Sequence, residues 1–242
     1  MNQNAINTLS LWTLFITLIF SAWSVNAAPT FQLDTLFQTS NENGHGVFTL
    51  SNTNRETIYV KGEVLQIQIE EGGINKIPLT RDNFMIWDLA VNPSKLRLLP
   101  GEVRDVAVKY LCSSNCNRSE DLVYQIRFSP VSAPEKIEGQ EVAIAFGMAP
   151  YYVIPAAEQN VSYEWDYEEA SQTVKVSNTG NTYLKVEFDN CNEFSARKSC
   201  RAVYHVLSGR YLEFKLPEGL QGSNVQVTVA NHNQRYEDEF TL

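Results

Sequence analysis

Residues 47–69 read VFTLSNTNRETIYVKGEVLQIQI, and this stretch decides the fold class. Apolar and polar side chains alternate through VFTLSN, an Asn-rich turn intervenes, and TIYVKGEVLQIQI resumes the alternation until Glu70-Glu71-Gly72-Gly73 ends it. A period of two places successive side chains on opposite faces of an extended chain, so the stretch predicts two strands and a turn. It has an echo in TVKVSNTGNTYLKVEF at 173–188, with Ser-Asn-Thr at 51–53 and again at 177–179. The 126-residue offset is close to the length of one sandwich domain, about 100 residues.

The same pattern extends outward from both copies. VRDVAVKYL (103–111), LVYQIRF (122–128), EVAIAFGM (141–148) and YYVIP (151–155) alternate, and VSYEW, RAVYHVL, RYLEFKL, NVQVTVA and YEDEFTL do so after Pro155. Short alternating runs separated by Gly, Pro, Asn and Asp are the signature of β-sandwiches. We expect an all-β protein with about seven strands before Pro155 and seven after it, the domains spanning 28–155 and 156–242. Ile154-Pro155-Ala156-Ala157 is a short junction without a flexible Gly/Ser linker, so the domains should sit at a fixed angle around a cleft.

Of 242 residues, 28 are Asp or Glu and 19 Lys or Arg, a formal charge of −9. An acidic chain without a basic stripe is a poor fit to nucleic acid, whose phosphates dominate binding. Residues 1–27 carry no charged side chain, and LSLWTLFITLIF (9–20) is followed by a Val25-x-Ala27 small-residue ending. That is the pattern of a secretory signal peptide cleaved after Ala27, the alternative being an uncleaved anchor. The apolar core is shorter than the ~20 residues of a spanning helix. Export implies an oxidising compartment, where Cys112 with Cys116 and Cys191 with Cys200 pair by proximity as two local disulfides.

A search for chemistry finds little. His45, His205 and His232 are isolated and read as turn or surface residues, and neither cysteine pair has a histidine at ligand spacing. No nucleophile elbow, zinc-helix motif or phosphate-cradling loop is present. We expect no catalytic residue, metal, cofactor or small-molecule substrate. What stands out is 141–154, long for a strand and apolar on both faces. It is either central and doubly buried, or an edge that invites pairing with another chain by β-augmentation.

Four motifs carry a family resemblance. VNPSKLRLLPGEVRDVAVKYL (91–111), LVYQIRFSPVSAP (122–134) and EVAIAFGMAPYYVIPAAEQNVS (141–162) resemble, in order and spacing, the first domain of periplasmic pilus-assembly chaperones of the chaperone–usher pathway. VSNTGNTYLKVEFDNCNEFSARKSC (176–200) resembles the second domain of their alternative, CFA/I-type branch. The resemblance implies two immunoglobulin-like sandwiches in an L-shaped boomerang. It implies partners, too: fimbrial subunits lacking a strand, which the chaperone supplies from 141–154, and an outer-membrane usher that receives them. Val142, Ile144 and Phe146, with Met148, are then the side chains that enter the subunit's groove. Ala143 and Ala145, the opposite register, are too small to fill it.

In the better-studied branch an arginine of the first strand and a lysine of this last strand hold the subunit's terminal carboxylate. FQLDTLFQ and 141–154 contain neither residue type here. Arg127 is our candidate carboxylate anchor, a bidentate guanidinium suiting a carboxylate, unless it forms a structural ion pair between the domains; Lys61 and Lys109 are weaker candidates. Two other classes compete with the chaperone: a secreted fimbrial subunit or adhesin, and a secreted β-sandwich hydrolase. A subunit should begin with a free donor segment, whereas strand pattern begins here within a few residues of Ala27.

Overall fold

A computed structural model describes residues 30–112, 116–131, 146–191, 200–222 and 224–242. The first part of the chain forms β1 (Gln32–Leu33), β2 (Phe37–Thr39), β3 (Gly46–Ser51), β4 (Ile58–Glu70), β5 (Gly73–Pro78), β6 (Leu89–Asn92), β7 (Lys95–Leu98), β8 (Val103–Tyr110), β9 (Leu122–Val131) and β10 (Tyr151–Ile154). The second forms β11 (Tyr163–Glu168), β12 (Thr173–Asn178), β13 (Leu184–Asp189), β14 (Arg201–Val206), β15 (Tyr211–Lys215), β16 (Gln226–Ala230) and β17 (Glu237–Thr241). The expectation of about seven strands on each side holds after Pro155, but among the described residues ten precede it. The surplus has two sources. The first strand changes sheets, β1 pairing with β3 and β2 with β10. The path from Gly73 to Leu98 is cut into three strands of four to six residues, too short for alternation to register.

The first sandwich stacks the order β1-β3-β8-β6 on a larger sheet, β2-β10-β9-β4-β5, with β7 also on β4. Phe48, Leu50, Val106, Val108, Tyr124, Ile126, Phe128, Tyr152 and Ile154 fill the space between them. The second stacks β11-β12-β15 on β14-β13-β16-β17 around Val176, Val186, Phe188, Val227 and Val229. Each core takes alternate residues of its strands, the periodicity from which the sandwiches were expected.

The echo at 51–53 and 177–179 is a shared device. Buried Asn52 donates Nδ2–H to the carbonyls of Glu56 and Leu98, at 2.8 and 2.9 Å, while its Oδ1 accepts the N–H of Asn54. Buried Asn178 donates to the carbonyls of Thr182 and Val206, at 2.9 and 2.8 Å, and accepts from Gly180. In each sandwich the same Asn carbonyl takes the N–H of a positive-φ glycine from the facing turn, Gly101 or Gly209. An asparagine amide can satisfy two buried carbonyls and cap a turn at once, which explains its return at the same place.

The sandwiches meet end against face. Tyr183 and Leu207, from two turns of the second, pack on Ile67, Val123 and Val153 of the outer face of the larger sheet of the first. Phe37 stacks on His205 at 3.8 Å between ring centroids, and Thr39 shares a hydrogen bond of 2.7 Å with Tyr183. His205 is therefore an interdomain packing residue, not the surface histidine expected; burial pushes its pKa down to about 4. Around this floor lie polar locks. The Asp121 carboxylate accepts the N–H of Ala156 at 2.8 Å and of Tyr183 at 2.7 Å, and Arg118 donates to the Pro155 carbonyl. The β4–β5 turn reaches across as well, its Gly72 carbonyl accepting from Arg210. Both cysteine pairs are bonded, Cys112 to Cys116 and Cys191 to Cys200.

Candidate functional site

The chain from Met148 to Ile154 lies along β9 in one unbroken antiparallel register. Met148 faces Phe128 and Tyr151 faces Gln125, so Pro150 does not shift the register. Phe128 and Met148 exchange both backbone hydrogen bonds, at 2.7 and 2.9 Å, and Ile126 donates to the Pro150 carbonyl. Pro150 falls opposite Ile126, where its missing N–H would have faced β9, so the ladder keeps the bond from the Ile126 N–H to the Pro150 carbonyl and forgoes the reciprocal one.

This register assigns the two faces. Phe128 is core, so Met148 opposite it points inward, and it packs against the first core. Phe146 shares that parity but is 68% exposed, because the core no longer covers it. Gly147 and Ala149 lie on the other face. A Cβ at Gly147 would come within 2.7 Å of the Phe128 carbonyl, so only glycine lets the strand lie this close to β9. From Tyr151 onward β2 covers the far side, Tyr151 donating to the Leu36 carbonyl. Before Tyr151 no strand does so among the described residues, and the N–H groups of Gly147 and Ala149 face an open edge. Val142 and Ile144, the other expected groove residues, lie outside the described residues.

The outer face of the same sheet continues from the apolar floor into a charged wall. Pairing sets Lys95 beside Lys61, Arg97 beside Tyr59, and Glu63 beside Arg127. Arg127 donates from Nε and Nη2 to Oε2 of Glu63, at 3.0 and 2.6 Å, while Lys61 holds Oε1 at 2.7 Å. These contacts, Lys61 first and then Arg127, hold the Glu63 carboxyl below its usual range against the opposing effect of burial. The ion pair of Arg127 thus lies within the first sandwich, not between domains. Lys109 is on the smaller sheet, paired with Ala90, and does not share this wall.

Three cations of the wall, Lys95, Arg97 and Lys76, were not anticipated from sequence. Lys76 of β5 extends to Gln125 of β9, Nζ to Oε1 2.8 Å, and buried Gln125 turns its own amide to the Ala149 carbonyl at 3.1 Å. The irregular β5 run gave no parity from which to place Lys76 on this face. A separate polar cleft lined by Gln159, Asn231, Arg235 and Tyr236 lies on the second sandwich, and Gln159 there is bonded to Asn231 and His232. Among the described residues no group of three His, Cys, Asp or Glu side chains could hold a metal ion.

Two stacked sandwiches with an open, partly apolar strand edge have the geometry that strand pairing with another chain requires. Solved structures of similar fold include chaperones. The class 5 fimbriae chaperone CfaA is 15% identical, covers 88% of this chain and 98% of its own, and has a TM-score of 0.52. The Escherichia coli chaperone DraB is 15% identical over 90% and 99%, with a TM-score of 0.53. A chain of the Salmonella enterica SafA pilin–SafB chaperone complex is 10% identical over 90% and 99%, with a TM-score of 0.55. No curated protein sequence matches. The family model of the CS5 fimbrial protein N-terminal domain matches residues 33–155, and the chain belongs to that family.

Proposed function

We propose that the protein is a non-enzymatic periplasmic chaperone. It binds fimbrial subunits by donor-strand complementation and delivers them to an outer-membrane usher. The observation that carries this reading is the open edge at 146–149, in register with β9 and carrying exposed Phe146. A subunit strand pairing there would satisfy the outward N–H groups of Gly147 and Ala149. Phe146 and Met148 share the parity that faces the sandwich interior, and Val142 and Ile144 continue that alternation in the sequence, so a groove docked at this edge would extend the same apolar core. We assign Arg127 as the carboxylate anchor; two of the five donors of its guanidinium rest on one Glu63 oxygen, which an incoming carboxylate would share or displace.

Residues 1–27 serve export, with cleavage after Ala27, and 28–155 and 156–242 are the two domains of the mature chaperone. Among the described residues no helix is long and apolar enough to cross a membrane. The structural chaperones of similar fold match almost end to end, which favours this reading over a fimbrial subunit.

The test is co-expression in a bacterial periplasm with class 5 fimbrial subunits. The wild-type chain should yield a soluble 1:1 complex, and joint replacement of Val142, Ile144 and Phe146 by Ser should abolish it. Retention of the complex by that variant would overturn the donor-strand assignment.

A further inference from the structure

We propose, independently of the chaperone reading, that the loop between β5 and β6 is a self-association surface whose occupant is a second copy of this chain. Leu79 and Leu89 pack into the first core at the two ends of the loop. Between them Phe84, Met85, Ile86 and Trp87 lie outside that core, 63%, 83%, 52% and 39% exposed. Four consecutive large apolar side chains form a patch of a kind that monomers seldom leave uncovered.

The exposure is built in. Asn83 Oδ1 accepts the Thr80 N–H at 2.7 Å, and its Nδ2 donates to the Pro78 carbonyl at 3.0 Å. The Trp87 indole N–H reaches the Thr80 carbonyl at 3.0 Å, and the Trp87 amide closes on the Phe84 carbonyl at 3.1 Å. These bonds close Arg81–Ile86 into a 3-10 segment, so the side chains are already held outward and binding costs little further ordering. β5 closes the larger sheet at the end opposite β2 and β10, with β9 and β4 between, so a partner on this loop leaves the 146–149 edge open.

Charge makes a second copy the occupant. Arg81 and Asp82, adjacent and exposed beside the apolar residues, have no ion-pair partner among the described residues. A two-fold axis through the patch sets apolar residues on apolar residues and each copy's Arg81 opposite the other's Asp82, so one surface complements itself and the pair closes. A patch of a few hundred Å² a side falls short of the roughly 1,200 Å² of a stable complex, so the dimer is weak, with a Kd on the order of 100 μM. Copies of charge −9 also repel, and salt that screens this repulsion should tighten the dimer.

The test is sedimentation equilibrium of protein purified from a bacterial periplasm, at concentrations up to about 1 mM. Wild type should show a monomer–dimer equilibrium that tightens between about 0.01 and 0.15 M salt. Phe84→Ser with Met85→Ser should stay monomeric and keep the wild-type unfolding midpoint, since neither side chain belongs to a core. Arg81→Asp and Asp82→Arg should each weaken the dimer about tenfold, and an equal mixture of the two should regain wild-type affinity. A mixture no tighter than either variant alone would overturn the two-fold pairing. A dimer that survives the double Ser variant would overturn the assignment to this loop; its loss when Val142, Ile144 and Phe146 become Ser would place it at the open edge. A wild-type monomer at every concentration would overturn the second copy as occupant. Flotation of that monomer, but not of the double variant, with phosphatidylcholine vesicles would then give the patch to a membrane, and loss of the subunit complex by the double variant would give it to the subunit.

Discussion

At the scale of single residues, the interface between sandwiches holds two titrating groups with opposite pH behaviour. Burial raises the Asp121 carboxyl above its ordinary 3.8, outweighing the N–H donors of Ala156 and Tyr183 that favour the anion. A carboxyl raised in the folded state gives a contribution present below the unfolded value and lost as pH rises through the folded one. His205 is lowered from 6.5 to about 4, burial being the larger cause and Lys185 the lesser. Its contribution is present above pH 6.5 and lost as pH falls toward 4. Denaturant unfolding of wild type and two variants should show this directly. Relative to His205→Phe, which keeps a ring on Phe37, wild type should lose stability between pH 6.5 and 4.5. Relative to Asp121→Asn, wild type should gain stability as pH falls from 7 toward 4. Parallel pH curves for wild type and either variant would contradict that residue's shift. Neither shift was legible in the sequence, because His205 and Asp121 acquire their burial only where two remote strands meet.

At the scale of elements, legibility followed regularity. The strand pairs around Ser-Asn-Thr were visible because their alternation runs unbroken, and the repeat proved to be one hydrogen-bonding device built on Asn52 and Asn178. Removing the Asn178 amide leaves two buried carbonyls unsatisfied and removing that of Asn52 leaves one buried and one part-buried, at about 1–3 kcal/mol. Asn52→Ala and Asn178→Ala should therefore destabilise by similar amounts in chemical unfolding, and their effects should add, since each acts in its own core. A much smaller cost at either site would mean that its turn closes without the amide. The path through β5, β6 and β7 stayed hidden for the opposite reason: short strands and a 3-10 segment at Arg81–Ile86 erase the period, and Lys76 was hidden with them. In the edge strand, Gly147→Ala would drive a methyl group toward the Phe128 carbonyl. Hydrogen exchange at the Phe128 and Met148 amides should accelerate in this variant, with β4 unchanged. Unaltered protection would show that the strand can lift without losing its ladder.

At the scale of the whole molecule, the arrangement depends on one contact in which a sandwich end rests on a sheet face. That face is apolar where Ile67, Val123 and Val153 meet the second sandwich, and cationic beyond it, so floor and wall belong to one surface. Composition announced the apolar residues and the cations separately, but sequence does not reveal that β4 and β9 align them as a continuous face. Three kinds of lock hold the end in place: the Tyr183–Leu207 packing, the buried Asp121 carboxylate, and the Gly72–Arg210 strut. Leu207→Ala removes part of the packing, at about 2–5 kcal/mol for a buried leucine, and Asp121→Ala leaves two interface N–H groups without their acceptor. Neither residue belongs to either sandwich core, so the paired variant should keep both folds while loosening the angle between them. Small-angle scattering should then show a larger radius of gyration and a broader distance distribution than wild type. Exchange protection at Phe128 and Met148 should be unchanged, because the edge strand is held by β9 alone. Subunit affinity follows from the same geometry: pairing at the edge survives, but contacts that span the cleft lose their fixed spacing, so binding should weaken without disappearing. An unchanged scattering profile would assign the rigidity to the contacts that remain, Phe37 on His205, Thr39 with Tyr183 and the strut between Gly72 and Arg210.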